Sequence, residues 1–520
     1  MAQESGESIA FRREARVAAM KVCLIRPPSI VSATSYVASL TPPLGVTYLA
    51  AALRAAGHEP VIIDAIGEDP LHSVQIDANL VLRGISFDEI VKRIPKDTGL
   101  IGFSGMFSSE WTHYKKLIDL IGATHPDPVF IAGGEHFTAA PELSMTQCPS
   151  LDAVVKGEGE ETIVDIANRI AAGASWREAN GVVSRDGDGY KSSPPRARLR
   201  KLDDIKTPAW DLVPLENYLS NLLSYGVNRG RSMPMLASRG CPYQCTFCSN
   251  PEMWGTRWVA RSPKLVVDEI EDYIKRYNIS NVDFYDLTAI VKRGWIIEFC
   301  HELINRKLNI TWQLPSGTRS EAIDQEVCKL LYASGCRNMN YAPESGDDET
   351  LAKIKKKVKL DRLTDSLHAA ISEGLNVKIN IIIGFPHETH RNILKTVWFL
   401  TKMTWAGAHD VSVGVFAPYP GSELYEDLVK SGRITHDDVF WNKLAYVDIT
   451  DTISYCPQVS QKWLVFYNWL AFAVFYGTNY LFRPMRFIRT IRNLITNQHE
   501  SRGEMALAQI FQRFRFMSLR

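Results

Sequence analysis

Three cysteines fall close together in the segment CPYQCTFCSN, at Cys241, Cys245 and Cys248. Closely spaced thiolates are soft ligands that suit zinc or an iron–sulfur cluster. A structural zinc site needs a fourth Cys or His nearby, and the next such residues are Cys300 and His301, some fifty residues on. The spacing leaves two alternatives open. One is a cluster with one iron free for a substrate or cofactor, and the other is zinc with a remote fourth ligand.

The bulk composition is ordinary for a globular protein. The 520 residues are 45% hydrophobic and 22% charged with a net charge of +1, so no overall field points to nucleic acid. Nine cysteines, three clustered and six scattered, do not form the pattern of a disulfide framework, which favours a reducing compartment. The first residues are polar and charged, and no run reaches the ~18 apolar residues of a membrane span. We therefore expect a cytoplasmic protein of two to four domains.

Strands and helices alternate through the first third of the chain. Apolar runs predict strands at 21–25, 61–64, 100–107, 128–134 and from 152, with helices at 48–57 and 87–94. This alternation predicts a Rossmann-like, doubly wound parallel sheet. Small residues stand at the carboxyl ends of the strands, where such sheets bind ligands: Ser104, Gly105, Gly133, Gly134 and Gly157. Taken singly, each glycine is equally consistent with an ordinary tight turn.

Six further strand–helix units follow the linker. The predicted strands are 235–240, 281–287, 309–319, 337–346, 376–386 and 410–426, and the intervening helices have amphipathic spacing. The cysteine segment follows the first of these strands. Catalytic groups of barrel folds lie at that carboxyl end, so the units predict a partial (β/α)6 barrel with the cysteines at its mouth.

The last part of the chain changes character. A segment rich in aromatic residues is followed by arginines at every third position: Arg483, Arg486, Arg489 and Arg492. The apolar run from Trp463 to Tyr476 is only 14 residues long, too short to span a membrane. Two interpretations stay open. The helices pack on the barrel with solvated arginines, or they form an interfacial surface that meets a membrane or an apolar substrate.

The CxxxCxxC spacing with Phe247 before the last cysteine resembles the signature of radical S-adenosylmethionine (SAM) enzymes. The resemblance implies that Cys241, Cys245 and Cys248 hold a [4Fe-4S] cluster whose fourth iron chelates SAM. The Glu344-Ser345 pair and the Gly384-Phe-Pro block also resemble this family. A guanidinium can pair bidentately with a carboxylate. We therefore expect SAM-binding residues at Phe247, Asp286, Arg319, Glu344, Ser345 and Gly384.

Upstream, four blocks resemble the cobalamin-binding domain that precedes many radical SAM enzymes. They read PPLGVTYLAAALRAAGHEPVIID, GFSGMF, IAGGEHFT and KGEGEET, within about residues 20–170. The chain lacks the DxHxxG motif whose histidine coordinates cobalt from below, so the lower axial position is unassigned. A domain that has lost its ligand is the alternative. The expected cobalamin-binding residues are Leu44, Gly45, Ser104, Gly105, Gly133, Gly134, Glu135, Gly157 and Glu158.

The resemblance predicts an α/β protein with a tail (1–19), a Rossmann-like cobalamin-binding domain (20–195), a linker (196–230), a partial radical SAM barrel (231–430) and a C-terminal helical domain (431–520). It implies a C-methyltransferase that uses a 5′-deoxyadenosyl radical and methylcobalamin to methylate an unactivated carbon. A non-methylating cyclase or rearrangement enzyme and a cofactor-binding sensor are the alternatives. The expected partners are a small or lipid-like substrate and an electron donor such as flavodoxin or ferredoxin, without nucleic acid. Peripheral membrane contact through the C-terminal region is a further expectation.

Overall fold

The computed structural model describes residues 18–32, 40–76, 80–444 and 452–517. The predicted N-terminal tail therefore lies almost wholly outside the described residues.

A seven-stranded sheet organises the first part of the chain, as the alternating pattern predicts. The strands up to residue 192 are β1 (Lys21–Arg26), β2 (Ser29–Ser32), β3 (Glu59–Asp64), β4 (Ser73–Gln75), β5 (Leu80–Arg83), β6 (Thr98–Ser104), β7 (Val129–Gly133), β8 (Ala153–Val155), β9 (Val182–Asp186) and β10 (Gly189–Ser192). The sheet order is β10-β9-β8-β7-β6-β1-β3. The strands from β8 to β3 are parallel, and β9–β10 adds an antiparallel hairpin. The strands β2, β5 and β4 form a separate small sheet.

Helices cover both faces of this sheet. They are α1 (Leu44–Ala55), α2 (Ala65–Glu68), α3 (Phe87–Arg93), α4 (Trp111–Thr124), α5 (Glu135–Ala139), α6 (Pro141–Gln147), α7 (Glu160–Ala171) and, in the linker, α8 (Leu215–Ser220). Alternate residues of β1 divide between two cores. Val22 and Leu24 pack with α1 and α7, whereas Cys23 and Ile25 pack with α3 and α4. The continuous apolar run of this strand is explained by burial on both faces.

The second sheet has six parallel strands and is open, which agrees with a partial barrel. The strands from residue 232 are β11 (Ser232–Met235), β12 (Ser238–Arg239), β13 (Val259–Ala260), β14 (Asn281–Phe284), β15 (Thr311–Thr318), β16 (Cys336–Glu344), β17 (Asn376–Ile383) and β18 (Asp410–Val415). The order is β11-β14-β15-β16-β17-β18. The first strand differs from the prediction at 235–240, because β11 ends at Met235 and β12 pairs separately with β13.

Nine helices accompany these strands in the described chain between residues 250 and 442. They are α9 (Asn250–Trp254), α10 (Pro263–Tyr277), α11 (Arg293–Asn305), α12 (Gln325–Ala333), α13 (Asp348–Lys353), α14 (Leu360–Ser372), α15 (His390–Ala406), α16 (Glu423–Lys430) and α17 (Asp438–Asn442). The amphipathic spacing is expressed in α10, where Val266, Ile270 and Tyr273 are buried against the sheet.

Three helices complete the described chain: α18 (Gln461–Phe482), α19 (Pro484–Thr496) and α20 (Arg502–Met517). The amides of Asn468 and Asn479 donate to the carbonyl oxygens of Val413 and Ala408 at 2.8 and 3.1 Å, so α18 is fixed along the edge strand β18. A search of the described helices finds none that is both long and apolar enough to cross a membrane.

Candidate active site

The cysteine loop begins directly after β12 and is fastened from two sides. The Thr246 amide donates to the carbonyl of Ile354 at 3.1 Å, and the Thr246 carbonyl accepts from the Leu424 amide at 2.9 Å. Within the loop, the Cys248 amide donates to the Cys245 carbonyl at 3.1 Å. These backbone bonds hold the loop between the segments that follow β16 and β18, so the thiols are carried by rigid neighbours.

All three thiols are free and half-buried. Burial raises the pKa of Cys248 to about 12 and raises the pKa of Cys241 and Cys245, while the Lys356 ammonium acts in the opposite direction on those two. In the described part of the chain, no three Cys, His, Asp or Glu side chains gather around a point that would hold a single metal ion. Three thiols on one loop supply the donor set of a cluster in which each binds a different iron.

A buried ion pair lies beside the loop. The Lys356 ammonium donates to the Glu344 carboxylate at 2.9 Å, and both side chains are about one-tenth exposed. Burial by itself would lower the pKa of Lys356, but Glu344 and Cys245 outweigh it and raise this pKa. Glu344 has a φ of +70°, which is unusual for a residue with a side chain and is found preferentially at functional sites. The family resemblance predicted Glu344, but nothing in the sequence pointed to Lys356.

Arg319 lies on the other side of the loop, just past β15. Its guanidinium carbon is 3.6 Å from the centre of the Tyr243 ring, inside the cysteine loop. The guanidinium donates to Glu321 and to the Lys357 carbonyl, whereas its buried Nη1 has no protein partner among the described residues. The buried hydroxyls of Thr318 and Ser320 also have no hydrogen-bond partner among the described residues. Unpaired buried donors are costly, so this end of β15 can accept an anionic or hydroxyl-bearing ligand.

Phe247 packs inward rather than projecting into an open site. Its ring centre is 5.6 Å from that of Phe385 and 6.0 Å from the Lys356 ammonium nitrogen. Gly384, next to Phe385, has a φ of +87°, and its amide donates to the buried Glu388 carboxylate at 2.6 Å. The Gly384 block is therefore a turn directly behind the cysteine loop, at a positive φ that glycine adopts readily.

Asp286 and Ser345, both predicted to bind SAM, are engaged with the protein. The Asp286 carboxylate accepts from the Ala237 amide at 3.1 Å and from the Ser238 hydroxyl, and burial raises its pKa to about 6. The Ser345 hydroxyl lies 3.0 Å from the Thr396 hydroxyl on α15. These contacts show structural roles for both side chains, and their binding to SAM stays a prediction.

Several residues predicted to bind cobalamin come together where β6 and β7 end, and we call this place the crevice. The Gly105 amide donates to the Gly133 carbonyl at 2.9 Å, and Ser104 pairs with Gly133 in the sheet. Gly134 has a φ of +108°, and a methyl group on it would lie 2.5 Å from the Gly105 oxygen. The backbones therefore approach so closely that only glycine fits at Gly134.

The other predicted residues surround this point. Leu44 and Gly45 open α1, and a methyl group on Gly45 would meet no atom within 4 Å. The sequence analysis missed Met106 and Phe107, which follow Gly105 and are each more than half exposed. Large apolar side chains that are exposed at the carboxyl ends of the strands indicate a contact surface for an apolar ligand. The GFSGMF block itself carried that signal.

The crevice and the cysteine loop contact each other. The Ser249 hydroxyl, one residue past Cys248, donates to the Glu135 carboxylate at 2.6 Å. Burial raises the pKa of Glu135, and the bond from Ser249 partly opposes this. A methyl group on Gly157 would approach the Met253 oxygen of α9 at 3.6 Å. The carboxyl ends of both sheets therefore face one another across a shared boundary.

Arg239 is the second link across this boundary. Its guanidinium is almost fully buried and donates to Glu158 at 3.2 Å and to Glu160 at 2.6 Å. The same group lies over the Tyr48 and Trp254 rings at 5.3 and 5.4 Å. Glu158, predicted to bind cobalamin, also accepts from the Leu199 amide at 2.8 Å, so its carboxylate joins domains in this structure.

Comparison with known proteins finds a family match for each of the two sheet-containing regions. Residues 31–167 match the B12 binding domain, and residues 235–400 match the Radical SAM superfamily. Among solved structures, the radical S-adenosylmethionine methyltransferase TsrM from Kitasatospora setae, with cobalamin and a [4Fe-4S] cluster bound, aligns with a TM-score of 0.62 at 18% identity. The alignment covers 80% of this chain and 78% of that one, and at this identity it shows a shared fold.

Three curated relatives cover most of the chain. An uncharacterized methyltransferase of Pyrococcus horikoshii is 29% identical over 434 residues, covering 82% of this chain and 87% of that protein. The cytidylyl-2-hydroxyethylphosphonate methyltransferase of Streptomyces wedmorensis is 29% identical over 455 residues, covering 80% and 83%. The anaerobic magnesium-protoporphyrin IX monomethyl ester cyclase of Rubrivivax gelatinosus is 26% identical over 420 residues, covering 79% and 70%.

Proposed function

Since the chain belongs to the cobalamin-binding radical SAM enzymes, we propose that it methylates an unactivated carbon atom of a small molecule. The enzyme uses a [4Fe-4S] cluster, SAM and cobalamin. The observation that carries the proposal is the contact between Ser249 and Glu135. It brings the cysteine loop and the glycine crevice to one boundary, where a methyl donor and a radical source must both reach the substrate.

When bound, the cluster with SAM supplies a 5′-deoxyadenosyl radical, and cobalamin supplies the methyl group. In our proposal, Cys241, Cys245 and Cys248 ligate the cluster through their thiolates. Burial raises the pKa of Cys241 and Cys245, and the positive charges of Lys356 and Arg319 partly oppose this rise. The two cations therefore favour the thiolate form that metal binding requires.

The same two cations frame the position expected for SAM. The unpaired Nη1 of Arg319 can donate to the SAM carboxylate. The Glu344 carboxylate, already paired with Lys356, retains acceptor capacity for an ammonium or a ribose hydroxyl. Gly384 lets the turn behind Phe247 pass close to the loop. We assign these residues to binding and orientation, and no general base is named.

In the crevice, we propose that the backbone around Gly105, Gly133 and Gly134 lies against cobalamin. The close approach of the strands at Gly134 leaves a surface without side chains. Met106 and Phe107 stand bare at its edge, where they can cover an apolar ring and exclude water. Exclusion of water and of competing reactants is what a protein contributes to a reactive cofactor.

A second candidate is oxidative cyclisation or rearrangement without methyl transfer. The relative named as an anaerobic magnesium-protoporphyrin IX monomethyl ester cyclase, which matches over 420 residues, favours keeping it. Both candidates need the same cofactors and the same boundary. They differ in whether the methyl group of SAM leaves the sulfur.

For the partners, we propose an external one-electron donor of the flavodoxin or ferredoxin class and a small, lipid-like substrate. The apolar edge of the crevice favours a substrate of this kind. Met106 and Phe107 are the residues that support an apolar substrate or cofactor contact. Their replacement by serine should weaken the binding of either.

The test is an anaerobic product assay on the full chain. The protein is reconstituted with iron, sulfide and hydroxocobalamin, and then receives reductant and SAM labelled with deuterium in its methyl group. Mass spectrometry follows 5′-deoxyadenosine and the label. Both 5′-deoxyadenosine and labelled methyl on cobalamin support the methyltransferase. 5′-Deoxyadenosine with bound but unlabelled cobalamin would move the assignment to the cyclase class.

A matched pair of cysteine variants tests the ligand assignment. Cys245→Ala should lose the cluster absorption and all 5′-deoxyadenosine, because one of the three thiolates is missing. Cys328→Ala removes a buried thiol from α12, outside the loop, and should retain both. Cluster absorption and 5′-deoxyadenosine formation in Cys245→Ala would refute the assignment.

A further inference from the structure

The helix α19 buries polar side chains and exposes apolar ones, which is the reverse of an ordinary surface helix. Its two buried side chains, Thr490 and Asn493, are polar and donate to the buried Glu504 carboxylate. Its apolar side chains point to solvent, and Met485, Ile488 and Ile495 are 72, 55 and 80% exposed. A surface helix normally buries its apolar side. In this orientation α19 instead leaves an apolar stripe exposed to solvent.

Two longer helices extend the stripe. The helices α15 and α18 run side by side in the same direction: His390 meets Tyr467 at their starts, and Trp405 meets Phe482 at their ends, with ring centres 5.7 and 5.3 Å apart. The exposed side chains of α15 include Trp398 and Trp405, each 64% exposed. On α18 and α19 the large exposed apolar residues are Trp463, Phe466, Trp469, Leu481, Phe482, Met485, Phe487, Ile488, Ile491 and Ile495. We call the exposed surface of these three helices the aromatic face.

The aromatic face carries basic but no acidic residues of its own. None of the three helices, all of which the structure describes from end to end, contains Asp or Glu. Exposed basic residues lie among the aromatic ones: Arg391, Lys395, Lys402, Lys462, Arg489 and Arg492. An apolar surface whose own helices carry basic residues and no acidic ones complements an anionic surface.

The arginine spacing seen in the sequence is only partly responsible for this charge. Arg483 donates to the carbonyls of Thr404 and Trp405, and Arg486 donates to those of Gly407 and Ala408. These two arginines therefore secure the end of α15 against α19. Arg489, which also pairs with Glu500, and Arg492 remain at the surface. On α15, Lys402 is exposed as well, and the exposed Lys395 pairs with the buried Asp347 carboxylate.

We infer that the aromatic face binds the surface of an anionic lipid bilayer, with the three helices lying in the plane of the interface. Tryptophan is enriched at the boundary between headgroups and acyl chains, and an apolar stripe with flanking cations is the pattern of interfacial helices. A second copy of the chain would bring two basic faces together, so charge favours lipid as the occupant. This inference is independent of the reaction that the enzyme catalyses.

The test is co-sedimentation of the full chain with sucrose-loaded vesicles. One set contains phosphatidylglycerol and phosphatidylcholine in equal amounts, and the other contains phosphatidylcholine alone. We expect stronger binding to the anionic vesicles and weaker binding at high salt. Bromine-labelled acyl chains should quench tryptophan fluorescence on binding, because Trp398, Trp405 and Trp469 would enter the interface.

The double variant Ile488→Glu/Ile495→Glu places two charges on the aromatic face at exposed positions. It should fold normally and lose at least ~10-fold in partitioning to anionic vesicles. The control Val439→Glu changes an equally exposed apolar residue on α17, away from this face, and should bind as the unmodified chain does. Equal sedimentation of all three proteins would overturn the inference. So would a dimer in analytical ultracentrifugation that the double variant dissociates while none of the proteins binds vesicles, because a second copy would then be the occupant.

Discussion

Lys356 and Glu344 form a buried ion pair at 2.9 Å directly beside the cysteine loop. Glu344 ends β16 with a left-handed φ of +70°, and Lys356 follows α13 by a few residues. Both residues therefore lie in the connection between β16 and α14, beside the loop that we propose to hold the cluster. The contribution of this pair to the free energy of unfolding can be measured separately from its proposed role in binding SAM.

Replacement of one partner should destabilise the protein strongly. Lys356→Met leaves the Glu344 carboxylate buried without its cation, and we expect a loss of ~3–5 kcal/mol in the free energy of unfolding. Lys356→Met/Glu344→Gln removes both charges and should recover much of this loss. Anaerobic urea unfolding of the two variants and the unmodified chain measures the coupling. A double variant no more stable than the single one would show that the pair is not coupled.

Arg239 should be essential for docking the two sheets. Arg239→Met leaves Glu158 and Glu160 without their buried partner, and we expect a cost of ~3–5 kcal/mol. Arg54→Met provides a matched control, because Arg54 also forms two bonds to a carboxylate, but Arg54 and its partner Asp211 are both about half exposed. An exposed pair contributes ~0–1 kcal/mol. Thermal unfolding distinguishes the two variants, and equal losses would contradict the assignment.

A methyl group at Gly134 should be enough to disturb the crevice. In Gly134→Ala the new carbon would lie 2.5 Å from the Gly105 oxygen at a φ of +108°, so the strand ends must move apart. We expect the cobalamin bound per chain to fall while the iron content is retained. Gly294→Ala on α11 meets no atom within 4 Å and should leave both unchanged. Normal cobalamin loading in Gly134→Ala would refute the proposed crevice.

Glu388 should make stability depend on pH. Burial raises its pKa from 4.5 to about 7, although the Gly384 and Phe385 amides donate to it. The folded state then binds more protons than the unfolded state between these values, so stability falls as the pH rises from 4.5 to 7. Glu388→Gln cannot titrate. The unfolding free energy of the unmodified chain relative to this variant should fall by ~3 kcal/mol from pH 4 to pH 8, and a constant difference would contradict the shift.

The strands and the order of the domains could be predicted because their signals are local. The apolar run of β1 and the turns after β6 and β7 lie within a few residues of sequence. The first barrel strand was predicted too far along the chain. The segment that follows β11 is held by Asp286, which accepts from Ala237 and Ser238 and is distant from them in sequence. No local pattern reports such a contact.

The site divides in the same way. The cysteines could be recognised because three ligands share one loop. Lys356 and Arg239 were missed because their significance lies in partners distant in sequence, Glu344 on β16 and Glu158 after β8. The aromatic segment of α18 was visible in the sequence, but the inversion of α19 was not, because it depends on the position of Glu504 in α20.

The fixing of α18 along β18 has a consequence for synthesis of the chain. β18 ends at Val415 and α18 begins at Gln461, so a ribosome adds about 45 residues between them, which takes ~2–9 s at typical elongation rates. During this interval the outer edge of β18 lacks the side chains of Asn468 and Asn479 that later bond to it. The nascent chain thus passes through a stage with an uncovered sheet edge. An exposed edge strand can form backbone hydrogen bonds with a strand of another chain. Chaperone demand should therefore peak late in translation.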